Sequence, residues 1–316
     1  MPRVVWKDRY GCRLWTPGVA VALLLALTVL PFVQAGSASG ATLDRVRQTS
    51  SLTLGYRTDA QPFSYREASG TPAGYSIALC LKIVDEVKAE LKLSSLAVEW
   101  VPVTLADRFK DVQQDKVDLL CGADSATLTR MQEIAFSIPI FPSGIGAMLR
   151  ADAPRLLRQV LEGPPPSHPI WRGSPARTLL EKRIFSVLAG TTSEGWLAGR
   201  LKEFQLDATV APVANYEAGI QRVLNRGSDV FFADRPILLD TARRNASEDL
   251  IVLDRLFTYE PIALGFKRGD EDFRVVVDRA LSRIFRSEGF RYLYGKWFGM
   301  PDESATTFFR LTALPD

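Results

Sequence analysis

Three short stretches hold residues able to bind a small charged molecule. Gly190-Thr191-Thr192-Ser193-Glu194 places a glycine, three hydroxyls and an acid where a strand gives way to a helix. Thr191 can cap that helix with Glu194 as its reciprocal partner. Free N–H groups and the helix dipole then form an anion site, with Gly190 letting a ligand approach the backbone. The alternative is an ordinary capped helix. Ala123 to Arg130 reads Ala-Asp-Ser-Ala-Thr-Leu-Thr-Arg, hydroxyls ending on a guanidinium that can grip a carboxylate through two parallel hydrogen bonds. Arg57, opening the run to Tyr65, and Arg108 follow element ends on the same side of the expected sheet. For all three arginines the alternative is a solvated surface position.

Enzyme chemistry has little to work with. The only histidine, His168, lies in a proline-rich stretch, Glu162 to Pro175, with no cysteine or acid at ligand spacing, so no metal site is expected. Neither G-x-S-x-G nor G-x-x-x-x-G-K-[ST] occurs, and Thr192 and Ser193 have no evident base. The reading is a protein without cofactor or catalysis.

The elements that must position these residues follow from hydrophobic patterning. Leu52 to Tyr56, Val98 to Val103 and Val117 to Cys121 read as strands. Tyr75 to Leu91 reads as an amphipathic helix with Ile77, Leu81, Val84, Val87 and Leu91 on one face. With a short helix around Phe109 this is β-loop-α-β-α-β, the pattern of a mostly parallel sheet. A second unit repeats it. Arg183–Ala189, Ala208–Val213, Asp229–Ala233 and Leu250–Leu253 are expected strands, and helices run from Thr192 to Leu201, Tyr216 to Arg226 and Pro236 to Arg243. Ile145–Arg150 and Ile262–Lys267 look like strands passing between two lobes. Helices at Asp272–Arg286 and Phe290–Phe298 should return to the first lobe. In open α/β sheets ligands bind beyond the carboxyl ends of the strands, which is where all three stretches fall.

Composition sets the remaining bounds. The 316 residues are 47% hydrophobic and 24% charged, ordinary for a folded chain of about two domains. The formal charge of +3 resides in the first 35 residues, where Arg3, Lys7, Arg9 and Arg13 face only Asp8. The remainder is neutral and shows no basic stripe for nucleic acid. Those basic residues, the apolar run from Val19 to Val33 and the small residues after it form a secretory signal, with cleavage expected after Ala35 or Ala38. Cys12 would leave with it. Cys80 and Cys121 then remain in an oxidising compartment, either as a disulfide or as two buried thiols.

At these residues the sequence resembles the family-3 extracellular solute-binding proteins of ABC amino-acid importers, especially the glutamate/aspartate branch. The matching segments are GYRTDAQPFSY, PAGYSIALCLKIVDEVKAEL, VPVTLADRF, KVDLLCG, TLTRMQEIAFS, AGTTSE, FFADRPILL and KWF, in family order. The resemblance implies the two-lobe α/β fold of type II periplasmic binding proteins, each lobe a mixed, mostly parallel sheet with flanking helices. The expected division is 1–35 signal, 36–148 first lobe, 149–259 second lobe, and 260–316 the second crossing with helices returning to the first lobe. It implies a periplasmic monomer that closes on an amino acid, glutamate or aspartate first, and presents it to an inner-membrane ABC permease. Arg130 would clamp the ligand α-carboxylate, with Gly190 and Thr192 as opposing donors. Asp234 would receive the α-ammonium, Arg57 and Arg108 the side-chain carboxylate, and Ser125 would line the site. Tyr216 stands where some relatives place a ligand-contacting histidine. The chain departs from that branch at Leu105, where a serine is usual, and at Gly122-Ala123-Asp124-Ser125, where G-S-T-T is usual. Asp124 brings a negative charge to the site, so a binding protein for a neutral amide amino acid is an alternative. A periplasmic dehydratase of the cyclohexadienyl type on the same fold is another.

Overall fold

The computed structural model describes residues 41–163, 173–245 and 249–315. The expected signal segment with Cys12, His168 and the central part of the proline-rich stretch lie outside the described residues. The first lobe opens with α1 (Ala41–Thr49), β1 (Ser51–Tyr56) and a small ribbon of β2 (Asp59–Ala60), β3 (Ser64–Arg66) and β4 (Pro72–Ala73). It continues through α2 (Tyr75–Glu90), β5 (Ala97–Pro102), α3 (Arg108–Gln113), β6 (Leu119–Ser125), a 3-10 turn at Arg130–Gln132 and β7 (Ala135–Phe136). The second lobe holds β8 (Ile145–Arg150), α4 (Arg155–Glu162), α5 (Pro175–Leu180), β9 (Ile184–Leu188), α6 (Thr192–Glu203), β10 (Thr209–Val213), α7 (Tyr216–Leu224), β11 (Val230–Asp234), α8 (Arg235–Arg244) and β12 (Leu250–Val252). The chain then returns through β13 (Ile262–Phe266), α9 (Glu271–Arg286), α10 (Gly289–Phe298) and α11 (Glu303–Thr312).

Both lobes follow one plan. The sheets run β5-β1-β6-β13-β7 and β10-β9-β11-β8-β12. In each, three parallel strands stand in the order second, first, third, and the third is flanked by an antiparallel strand. An aspartate at the entry to each third strand locks it to the first. Asp118 accepts the Thr53 N–H at 2.8 Å, returns its own N–H to the Thr53 carbonyl at 2.9 Å, and is ion-paired with Arg45. Asp229 does the same with Ile184, at 2.9 and 2.8 Å, and is ion-paired with Arg183 at 3.0 Å.

The helix α2 buries Ile77, Leu79, Cys80, Ile83, Val84 and Val87 against the sheet, a stripe of helical period. Leu81, expected on that face, is instead 46% exposed, because the stripe centres on Cys80 and Val84. Cys80 and Cys121 form a disulfide, Cα atoms 6.3 Å apart, which ties α2 to β6. On the other side of α2, Arg279 and Arg283 of α9 pair with Glu90 and Glu86 at 2.7 and 2.6 Å. Phe63, Tyr75, Phe141, Tyr294 and Phe298 pack edge-on and tilted into one cluster, seating α10 on the first lobe.

Two expectations change. Ile145–Arg150 and Ile262–Lys267 do not pass between lobes, since β8 pairs only within the second sheet and β13 only within the first. A strand satisfies its peptide groups in one sheet. The passage is made by the segments 137–144 and 253–261, which run side by side. There the Glu260 N–H donates to the Ser143 carbonyl at 2.7 Å and the Phe257 N–H to the Ile145 carbonyl at 2.8 Å. They lie so close that a Cβ on Gly144 would sit 1.9 Å from the Thr258 carbonyl oxygen. The strand expected to end at Cys121 runs on to Ser125, because β13 pairs with its far end, Ala263 with Asp124 and Ile262 with Ser125.

Candidate functional site

The candidate residues gather where the ends of β1, β6 and β11 meet the loops ahead of α3 and α6. None of the three arginines lies open on the surface. Arg57 is 6% exposed and Arg108 3%, while Arg130 is half-buried. The extended β6 carries Asp124 and Ser125 into this region on sheet backbone, where a loop was expected.

Each arginine finds a different partner. Arg57 donates to Asp59 at 2.5 Å, across the start of the β2–β3 ribbon. Arg108, the first residue of α3, donates from Nε to Asp124 Oδ1 at 2.5 Å and also bonds the Leu105 carbonyl. Arg57 and Arg108, expected to meet a ligand carboxylate or solvent, are thus each held by a carboxylate of the protein itself. Arg130 has no carboxylate within ion-pair distance among the described residues; its Nη1 donates to the Ser125 carbonyl at 3.0 Å. The Phe109 ring takes the Arg108 guanidinium at 4.1 Å and that of Arg130 at 5.5 Å from its centroid. Burial works against the Arg130 charge and lowers its pKa. Asp124 offsets this, and the neighbouring Arg108 adds to it. An incoming carboxylate would relieve Arg130.

The second lobe contributes acids. Asp234, at the junction of β11 and α8, accepts the hydroxyl of Tyr216 at 3.1 Å. Its carboxyl is pushed up to about 6, first by burial and then by Glu260. Tyr216, the first residue of α7, is buried with its hydroxyl committed to Asp234. At the start of α6 the capping box does not form. Thr191 Oγ1 donates back to the Leu188 carbonyl at 2.6 Å, and Glu194 accepts the N–H of Gly190 at 3.0 Å, one residue ahead of the cap. Thr192 donates its hydroxyl to Glu260 Oε2 at 2.5 Å, and Thr258 donates to Oε1 at 2.9 Å. Glu260 sits on the returning passage between the lobes, and no sequence pattern singles it out, since its role depends on that passage folding beside Thr192. A cavity of about 430 Å³ opens beside Asp59 and Tyr216. Tyr65 and Arg66 of one lobe and Glu217 and Arg244 of the other also line it.

Arg130 of the first lobe and Asp234 of the second lie near enough to influence each other's charge, and such a pair could receive the two ends of a zwitterion. Residues 52–300 match the bacterial extracellular solute-binding proteins, family 3. The chain belongs to that family. As a family-3 solute-binding protein it is similar to the L-glutamate/L-aspartate-binding protein of Pseudomonas aeruginosa, 28% identical over 90% of this chain and 87% of that protein. The glutamate/aspartate import solute-binding protein of Escherichia coli is 23% identical over 90% and 89%. Among solved structures, an ancestral amino acid-binding protein described as a precursor of cyclohexadienyl dehydratase superposes with a TM-score of 0.65 at 23% identity. That superposition covers 81% of this solute-binding protein and 99% of the ancestral chain. The fold is that of the type II periplasmic binding proteins. Among the described residues of this binding protein no cluster of three or more His, Cys, Asp or Glu could hold a metal ion. No described helix is long and apolar enough to cross a membrane.

Proposed function

We propose that this protein is the substrate-binding component of an ABC amino-acid importer, working outside the cytoplasmic membrane and delivering its ligand to a membrane permease. The observation that carries the reading is the opposition of Arg130, the one of the three candidate arginines without a carboxylate partner among the described residues, and Asp234, an acid whose pKa burial raises to about 6. The ligand α-carboxylate goes to Arg130 and the α-ammonium to Asp234, with Gly190, Thr192 and Ser125 around them. The side chain extends toward Arg57 and Arg108. Glutamate and aspartate are the first candidates, because the relatives named above are named for binding them.

Closure about the paired passages 137–144 and 253–261 would seal the ligand from water. The chain acts as a monomer and performs no reaction. Turnover of prephenate or arogenate by the purified protein would overturn the binding-only reading.

The test is calorimetry with a panel of amino acids on the native chain and on Arg130→Ala. Hydrogen bonds to a charged group contribute roughly 1.5–3 kcal/mol each, so the variant should lose about 3 kcal/mol, on the order of a hundredfold in Kd. Its circular dichroism and melting profile should stay native. Affinity kept within a few-fold would remove Arg130 from the site.

A further inference from the structure

The Asp124 carboxylate is 3% exposed, and its two oxygens fare differently. Oδ1 accepts the Arg108 Nε–H at 2.5 Å. Oδ2 is buried with no hydrogen-bond partner. Buried polar atoms are nearly always satisfied, so a lone carboxylate oxygen inside a binding region marks a place for a donor. The close seat of this oxygen depends on Gly122, the next residue on the same face of β6. A Cβ there would lie 2.4 Å from Oδ2 and 3.8 Å from Arg57 Cγ. Asp124 therefore lies over Gly122 near the aliphatic stem of Arg57, and it already neutralises Arg108.

We infer that Asp124 makes the side-chain end of this site a reader of the amide group, so that the ligand class includes glutamine-type amino acids held at least as tightly as their acids. The inference rests on the amino-acid reading above. A side-chain amide offers both complements at once, its NH2 donating to Asp124 Oδ2 and its carbonyl oxygen accepting from a guanidinium. A side-chain carboxylate brings no donor to Oδ2. It also sets a second negative charge beside Asp124 in a water-poor space, which disfavours the doubly ionised state. Arg57 does not rebalance this, because Asp59 holds it at 2.5 Å.

The experiment is competitive calorimetry of glutamate and glutamine at pH 7.5 on the native chain, repeated on Asp124→Asn and Asp124→Thr. In the native chain glutamine should bind at least as tightly as glutamate; glutamate as the tighter ligand overturns the inference and leaves amino-acid capture standing. In the variants the preference should move toward glutamate by tenfold or more, because Arg108 is released to the ligand. A preference that does not move in a folded variant overturns it as well. Asp124→Asn keeps the side-chain shape if Asp124→Thr does not fold, and the native competition needs no variant. Binding of other amino acids but neither of these two would overturn this inference alone. Binding of no amino acid would overturn the functional reading with it.

Discussion

At the scale of single residues, the donors expected to face a ligand are, Arg130 apart, occupied by the protein's own acids. Asp59 holds Arg57, Asp124 holds Arg108, Glu194 takes the Gly190 N–H and Glu260 takes the Thr192 hydroxyl. Ligand capture then becomes an exchange of partners, and its pH dependence follows from Asp234. That carboxyl is raised from 3.8 to about 6 by burial and by Glu260, while Tyr216 and Arg130 pull the other way and Asp124 adds a little. The folded, empty protein therefore binds more protons than the unfolded chain between pH 4 and 6. The stability this contributes is complete below pH 3.8 and lost as pH rises through 6. A ligand ammonium needs the ionised carboxylate, so affinity should be flat above pH 6 and weaken toward tenfold per unit below it. Asp234→Asn should bind weakly at every pH, without that slope. A slope that survives in the variant would rule out Asp234 as its source. The arginines and Asp234 were legible from residue type and motif order. Their internal partners were not, because Asp59 and Asp124 become counterions only through the ribbon after β1 and the extension of β6.

At the scale of elements, strands and helices with strong patterning were readable to within a few residues. α1, α4, α5 and α11 were not read at all. α4 and α5 span only Arg155–Glu162 and Pro175–Leu180, too short for a periodic signal. The length of β6 could not come from local pattern either, since Gly122 to Ser125 is small and polar and becomes strand through β13. The link between α2 and β6 offers a direct check on this part of the structure. The disulfide spans 41 positions, and closing such a loop stabilises a fold by about 4 kcal/mol. Dithiothreitol, or Cys80→Ala with Cys121→Ala, should lower the melting temperature by several degrees in differential scanning calorimetry. Two free thiols at these positions in denatured, unreduced protein would show the bridge absent. Because Cys121 directly precedes Gly122 on β6, the same loss should loosen the seat of Asp124 and weaken ligand binding several-fold.

At the scale of the whole molecule, two similar α/β units were visible in the sequence because strand and helix patterns alternate twice. The interleaving of the chain was less visible. β13 and β8 each look like any short apolar strand, and only pairing decides which sheet takes them. The outcome is lobes of unequal continuity. The second is built from one uninterrupted stretch, β8 to β12, whereas the first needs β13 and α9 to α11 from the far end of the chain. A fragment of residues 145–255 should give a cooperative urea transition of its own. A chain ending at residue 252 should show that same transition and none for the first lobe. A fragment 145–255 with no transition would mean that the lobes fold only together. Birth order and folding order then run opposite ways. As the chain emerges, its middle acquires structure while its beginning waits for the last fifty-five residues to close the sheet behind it.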